Sequence, residues 1–448
     1  MPLATQVTDG TEAPPSSGQR RLLADFPAGG SALSLAEHRS RYPQPPPPKH
    51  RPLAALIEEI DHAGLRGRGG AGFPTATKMR AVAAGRGTPF VVANGTEGEP
   101  GSYKDKLLLT SLPHLVIDGV LLAAAAVGAD QAVIAIEHTA GLALAAMDRA
   151  LAERRRAEPL PIPVEVAETP PGYVTGEESA LVHYLNGGDA LPTATPPRPF
   201  ERGLARRPTL VDNVETLAHV AQIARYGAGW FRTTGTRDEP GTMLVTVSGA
   251  VAQPGVTEVP LGTPLGAIIE RANPTARPVA ALVGGYFGGW VPAAQFGAPL
   301  SRAGLRATGA APGAGVIIVL PEGACGLSET ARILQWYANE SAGQCGPCAF
   351  GLPAIAAEAV ALCHGPIPPQ GLGRLQRWAG DVEGRGACHH PNGAVRLLRS
   401  ALMVFSGDIE RHLHGQPCTG SYHSPVVPVP GLGRGNGSNP RHPNLARR

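Results

Sequence analysis

The chain has 448 residues, of which 58 are Gly and 46 Pro, with 17% charged, 5% aromatic and 43% hydrophobic residues and a net charge of +3. Gly and Pro make up roughly 23% of it against a usual figure of about 12%, yet there is no G-X-Y period, and apolar runs such as Leu115–Val127 and Ala132–Ile136 demand burial, so neither a collagen nor a wholly disordered chain fits. Scattered Arg at near-neutral charge excludes a nucleic-acid-binding face, and six Cys behind a polar, Pro/Ser-rich start exclude a disulfide scaffold and a signal peptide, so a cytoplasmic setting is expected.

Residues 1–51 are polar and end in Pro45–Pro48, which favours extended conformations; a disordered Pro-rich arm is expected, with Leu33–His38 as a candidate docked helix. Leu53–Ala63 has helical spacing and runs into Gly64. Phe90–Ala93, Gln131–Glu137 and Ile162–Ala167 read as strands, alternating with helical Leu112–Val127 and Gly141–Arg156, which predicts an α/β domain with a mostly parallel sheet over 52–238. The most apolar stretch, Leu115–Gly128, contains Asp118 and is shorter than the ~20 residues of a membrane span. Strands at Thr242–Val247, Thr257–Val259, Ala280–Gly285 and Gly315–Leu320 around a helix at Leu265–Ala272 predict a small α+β module over 239–322. Helical patterns at Thr330–Asn339, Leu352–Cys363, Gly371–Val382 and Asn392–His412 predict a helical bundle over 323–418, followed by a loose tail over 419–448.

Three glycine-rich segments carry candidate chemistry. Gly64-Leu-Arg-Gly67-Arg68-Gly69-Gly70-Ala-Gly72-Phe73 leads to Lys78 and contains a formal G-x-G-x-x-G, although a helix and not a strand precedes it. Clustered Gly lets backbone N–H groups converge on an anion and a flat ligand approach the main chain. The chain has four Lys (49, 78, 104 and 106) against 35 Arg, and three of the four lie near this segment, as a compact charge beside phosphate would. Asn94-Gly-Thr96-Glu97-Gly98-Glu99-Pro-Gly101-Ser-Tyr-Lys104-Asp105 follows a strand, where α/β sheets place ligands. Gly172-Tyr173-Val-Thr-Gly176-Glu177-Glu178 sets paired carboxylates at a helix start, where they can accept hydrogen bonds from a ligand.

These segments, with Pro208-Thr-Leu-Val-Asp212-Asn213-Val-Glu215-Thr216, resemble the four flavin-site segments of the NADH-oxidising flavoprotein subunit (F subunit) of bacterial NADH:quinone oxidoreductase and related diaphorase subunits, in the same order, from about residue 52 to 415. The resemblance implies a Rossmann-like domain that binds FMN, and it places Gly67, Arg68, Gly70, Lys78, Asn94, Glu97, Gly176, Glu177, Asn213 and Thr216 at the flavin. It places Glu99 and Glu178 near bound NAD(H), with Phe73 as an aromatic stacking partner. Departures fall at Ala81, where a second ring is expected, and at Thr96, Gly98, Asp212 and Pro197-Arg198-Pro199-Phe200. Val245–Leu265 resembles the family's β-grasp (SLBB-like) module, for which packing between the outer domains is the expected role.

Cys345-Gly-Pro-Cys348 is a C-x-x-C compatible with zinc, thioredoxin-like redox or iron–sulfur ligation, with Cys388 as the natural third thiolate. No second C-x-x-C supports a zinc ribbon, and the helical context does not suit a thioredoxin site. The family motif Glu-Ser-Cys-Gly-x-Cys-x-Pro-Cys, which with a downstream Cys holds a [4Fe–4S] cluster, stands here as Glu340-Ser341-Ala342-Gly343-Gln344-Cys345-Gly346-Pro347-Cys348, with Ala342 in place of one ligand. Three readings stay open: a cubane with a non-Cys fourth ligand (water, His389 or His390), a [3Fe–4S] cluster on three thiolates, or packed thiols without a cluster. Cys325 and Cys363 are expected to be buried structural thiols, and His412 and His414 solvated.

The expected function is electron transfer from NAD(P)H through FMN and an iron–sulfur cluster to a partner redox protein, with no nucleic-acid partner, no membrane span, and a place peripheral to a membrane redox complex. The alternative is a non-catalytic relative that serves as a binding or assembly module.

Overall fold

The computed structural model describes residues 21–24, 26, 32–42, 53–364, 370–416 and 425–430. Strands β1 (Phe90–Gly95), β2 (Gln131–Glu137), β3 (Val164–Thr169) and β4 (Thr209–Asn213) form a parallel sheet in the order β3-β2-β1-β4. Their alternation serves two covered faces. Val91, Ala93, Ile134 and Leu210 pack with the helices Leu53–Ala63, Pro113–Val127 and Val214–Arg232, while Val92, Val133, Ala135 and Val211 pack with the helix Glu178–Leu185. The chain winds outward from β1 to β3 and then returns to the other side of β1 as β4. That reversal opens a crevice at the carboxyl ends of β1 and β4, the place where such sheets hold ligands.

The second sheet has the order β6-β5-β9-β7-β8, from β5 (Thr242–Gly249), β6 (Gly255–Pro260), β7 (Pro278–Val283), β8 (Gly289–Pro292) and β9 (Val316–Pro321). Strand β9 is parallel to β5 and antiparallel to β7. It sends Ile317 and Val319 toward the helix Leu265–Arg271 and Val316, Ile318 and Leu320 toward the C-terminal helices. The module is therefore a wedge with a core on each face. The helices Gly326–Asn339, Leu352–His364, Gln370–Val382 and His390–Val404 make the bundle.

Several expectations need correction. The helix expected over Asn392–His412 breaks at Phe405, whose ring packs at 5.1 Å against Trp290, and resumes as Ser406–Leu413. His412 is not solvated: it is buried on that short helix, 3.5 Å from Cys325 Sγ, while His414 is exposed. The described parts of the N-terminal arm are docked, not disordered. Three successive N–H groups, of Arg21, Leu22 and Leu23, donate to the Glu258 carboxylate, and Arg21 lies 4.0 Å over the Trp230 ring. Leu35–Arg41 is a helix with a Ser34/Glu37 capping box, and its His38 reaches Asp118 at 2.7 Å. In the tail, residues 425–430 pack on the bundle through Val427, whose N–H and that of Val426 donate to Glu329. The rest of the arm and tail, Cys418 included, lies outside the described residues.

Among the described residues no single helix is long and apolar enough to cross a membrane; the apolar pair Lys104–Ser111 and Pro113–Val127 is bent by 97° and mostly buried in the first core.

Candidate functional site

The crevice between β1 and β4 gathers all four glycine and carboxamide segments. Asn94 and Asn213 are register partners at the strand ends. The Asn94 side chain donates to Gly176 O at 2.9 Å, so the end of β1 is tied to the Gly172–Gly176 turn. The glycine loop is closed by Gly67 N–H donating to Phe73 O and by an isolated bridge between Arg66 and Pro74. Gly70 and Gly72 have φ of 114° and 62°, a region closed to most side chains, and a side chain on Gly70 would meet nothing within 4 Å, so that part of the loop faces open space. Phe73 is 54% exposed at its edge, as a ring offered for stacking would be.

Lys78 Nζ donates to Val211 O and lies 3.2 Å from Glu178 Oε1, which brings a cation from the helix Thr75–Ala83 and a carboxylate from the start of the helix Glu178–Leu185 to the same wall. Asp212 is buried beside them. Its Oδ1 accepts from Asn213 N–H, and its Oδ2 has no hydrogen-bond partner. Burial raises its pKa to about 6 against the opposing pull of Lys78.

Other expected site residues also make hydrogen bonds within the protein. Glu97 accepts from Ser102 Oγ, Asp105 N and Lys106 N, and so caps the helix Lys104–Ser111. Glu177 accepts from Ser179 N and Ala180 N, the same service for Glu178–Leu185. Asn213 caps Val214–Arg232 through Glu215 N. Arg68, expected at the flavin, turns inward: it is buried, its Nη2 donates to Thr242 O, and its N–H donates to Thr216 Oγ1. Glu99 is buried against the second sheet, where Tyr286 N–H donates to it at 3.0 Å and the Tyr173 hydroxyl bonds it. Burial pushes its pKa up to about 8, with Glu97 adding to the rise.

Sequence reasoning missed the group beneath the loop. Lys104 Nζ lies 2.7 Å from Asp105 Oδ1, 3.0 Å from Glu215 Oε2 and 3.2 Å from Asn213 Oδ1, with Arg68 and His219 at 4.0 and 3.8 Å from Glu215. Glu215 also accepts from Leu244 N–H of β5, which locks the crevice to the second sheet. Burial opposes the charged forms of both Lys104 and Glu215, but Asp105, Glu215 and Glu97 together outweigh it for Lys104, and Lys104, His219 and Arg68 together outweigh it for Glu215, so Lys104 is raised and Glu215 lowered to about 2. The rarity of Lys was the available signal; burial of the whole group was not readable from it.

The thiols of Cys345, Cys348 and Cys388 lie close enough to act on one another. Burial raises Cys348 to about 12, helped by Cys345 and Cys388, and raises Cys388, helped by Glu177 and Cys345. Burial also works against Cys345, but N–H donation from Ala387 and Cys348 and the Cys348 thiol outweigh it and lower its pKa. Among the described residues no three His, Cys, Asp or Glu side chains surround a point as a single ion requires. Three thiols drawn together from the loop at Cys345, the helical turn Pro347–Gly351 and the loop at Cys388 suit a polynuclear cluster, which spreads its ligands over several irons. His390 is committed to Tyr337 O at 2.9 Å, and His389 is exposed with its ring nitrogen beside Asn392.

Residues 60–222 match the family model described as Nuo51 FMN-binding domain, 244–272 the SLBB domain, and 328–412 the NADH-ubiquinone oxidoreductase-F iron-sulfur binding region. Over 411 residues the chain is 31% identical to the second NADH-quinone oxidoreductase F subunit of Rhizobium meliloti, covering 89% of this chain and 96% of that one. The chain belongs to the family of NADH-quinone oxidoreductase F subunits. The F subunit of Escherichia coli is 32% identical over 378 residues, 79% of this chain and 83% of its own. The NAD+-reducing [NiFe]-hydrogenase in its H2-reduced state has a similar fold, with a TM-score of 0.77 and 34% identity over 86% of this chain and 67% of that one. The crevice fits the flavin on its own chemistry: an open glycine loop, a nearby cation and a buried carboxylate oxygen left without a partner.

Gly98 shows how tightly the flavin loops are set. A Cβ there would lie 2.6 Å from Gly172 O and 3.1 Å from Tyr173 Cα. Gly98→Ala is therefore expected to push the two loops apart and weaken flavin retention about tenfold, a cost of about 1.4 kcal/mol. Flavin fluorescence titration measures it, and unchanged affinity would show that the loops yield.

Proposed function

We infer that the chain is an electron-entry subunit, which holds FMN where β1 and β4 diverge, oxidises a reduced nicotinamide nucleotide there, and passes electrons through its iron–sulfur region to a partner redox protein. FMN, when bound, accepts a hydride and returns electrons singly. Lys78 supplies the cation for an anionic ligand group, and Asp212 Oδ2 the free acceptor or, protonated, the donor. Glu178 and Phe73 form the wall for the nucleotide, and Cys345, Cys348 and Cys388 supply thiolates for the cluster. With Ala342 where the family has a fourth Cys, this reading takes the three thiolates as the whole protein ligand set. Electrons leave toward a partner on the cytoplasmic side, which supplies any membrane attachment.

The observation that carries this reading is the adjacency of the two sites: Tyr173 N–H, in the turn that leads to Glu177, donates at 2.9 Å to Glu340 Oε2, at the start of the segment that leads to Cys345 and Cys348. One anaerobic purification tests it. The protein is expected to hold FMN, iron and sulfide and to lose flavin colour on addition of NADH, and Cys388→Ser is expected to lose iron while keeping flavin. A chain that after anaerobic reconstitution holds neither flavin nor iron, and reduces no dye with NADH, is instead a non-catalytic binding or assembly module.

A further inference from the structure

Between the two proposed cofactor sites the structure places a box of rings contributed by all three parts of the fold. Tyr173, in the flavin-side turn, stacks on Phe287 with centroids 5.4 Å apart and planes at 19°. The same ring meets Trp336 at 5.0 Å, Tyr337 at 5.7 Å and His390 at 5.7 Å. His390 is two residues from Cys388, and its ring lies 4.8 Å from Tyr337, whose carbonyl it engages. A second tie runs along the backbone: Tyr173 N–H donates to Glu340 Oε2 at 2.9 Å, at the start of the loop that carries Cys345 and Cys348. One residue of the flavin turn thus touches the approaches to both cysteine loops. Trp336 and Tyr337 are almost wholly buried, so no water layer separates the rings.

We propose that Tyr173, fixed by Glu340 and packed in this aromatic box, is a positioning residue that sets the separation and packing across which single electrons move from the flavin site to the cysteine site. The proposal rests on the electron-transfer reading above. Each transfer oxidises the flavin by one electron and reduces the iron–sulfur group by one. The rings change neither charge nor bonding, and the flavin's proton goes to water. Electron tunnelling weakens steeply with distance and with loss of packed matter, so a ring removed or a loop released by an ångström slows it without touching either cofactor's ligands.

The test uses the full chain loaded with FMN and reconstituted with iron and sulfide, comparing Tyr173→Leu, Tyr173→Phe, Glu340→Ala and Glu340→Gln. The flavin is reduced by NADH in one arm and by light with an external electron donor in the other. Flavin bleaching and the iron–sulfur absorbance are followed separately, and flavin and iron contents are assayed chemically. In Tyr173→Leu and Glu340→Ala the second change is expected to lag the first by about tenfold or more beyond the wild-type lag, the scale set by small misplacements of reacting groups. Tyr173→Phe, which keeps the ring, and Glu340→Gln, which keeps the acceptor, are expected to restore the wild-type lag. An unchanged lag in Tyr173→Leu and Glu340→Ala with both cofactors retained overturns the proposal, as does a lag in Tyr173→Phe equal to that in Tyr173→Leu. Loss of a cofactor from both of the disruptive variants would make the box mere scaffold and overturns it too. Failure of the NADH arm alone sinks nucleotide oxidation and leaves the proposal to the light arm.

Discussion

Glu215→Ala is expected to lower the thermal midpoint by about 10 °C and to release the flavin. Glu215 is fully buried, and Lys104 beside it is 1% exposed. Removing the carboxylate leaves the Lys104 ammonium and the Arg68 guanidinium with too little negative charge in a dry interior, and it orphans the Leu244 N–H. Breaking a buried pair from one side costs about 3–5 kcal/mol, and in a domain of this size each kcal/mol is worth about 2–4 °C. The flavin is lost with it because Lys104 and Asn213 hold the end of β4 and the start of the next helix in place. Thermal melts of the full chain with and without added FMN check both parts.

Two companion measurements separate charge from packing. The double variant Lys104→Met with Glu215→Leu is expected to be milder than Glu215→Ala, because the Lys104 ammonium is no longer buried beside a missing carboxylate and only Arg68 and Asp105 are left short of a partner. The pH dependence has a definite sign. The Glu215 pKa falls from its ordinary value to about 2 on folding, so its contribution is complete above about pH 4.3 and is lost as pH drops toward 2. Glu215→Ala should therefore flatten the acid limb of the stability profile. A single variant as stable as the wild type would mean that water reaches Lys104.

The parallel sheet and the flavin crevice were legible because their signals are local. Phe90–Ala93 and Gln131–Glu137 are short apolar runs bounded by turns, and the loop glycines stand where backbone must leave the ordinary region. What no local pattern carries is convergence. Tyr173, Phe287, Tyr337 and His390 lie on four separate segments and look individually like ordinary core aromatics. Lys104 reads as a surface charge until Asp105, Asn213 and Glu215 are seen around it.

The arm misleads for a related reason. Its Pro content describes the backbone, but Leu22, Leu23, Leu33 and Tyr42 are anchors whose cores come from other parts of the chain. Glu258, which receives three consecutive N–H groups of that arm, is 235 or more residues distant. Glu97 and Glu177 carry a second role that no local pattern shows: each carboxylate beside a glycine turn also serves a helix N-terminus, Glu97 through both oxygens and Glu177 through Oε2.

Glu99→Gln is expected to stabilise the protein at pH 8 by on the order of a few kcal/mol and to leave it unchanged below about pH 4, since each tenfold change in proton affinity on folding is worth about 1.4 kcal/mol. The Glu99 carboxyl lies among Tyr173, Tyr286 and Tyr337, and burial raises its pKa from 4.5 to about 8. Below the unfolded-state value both states hold the proton and pH has no effect. Between there and about 8 the folded state keeps a proton that the unfolded chain has released, so stability falls as pH rises. Above 8 the penalty is complete and constant. Glutamine keeps an acceptor for Tyr286 N–H at the same place and carries no charge to desolvate, so it removes the slope while preserving the contact. Urea melts at about pH 4, 6 and 8, which bracket the range between the unfolded and folded values, read this out directly. Equal slopes for Glu99→Gln and wild type would place the titration on another group, with Asp212 the next to examine because its raised value, about 6, acts in the same direction over a lower range. If the slope vanishes as expected, Glu99 is a neutral acid near neutral pH, and the wall between the flavin turn and the second sheet then carries a proton where the sequence shows a carboxylate.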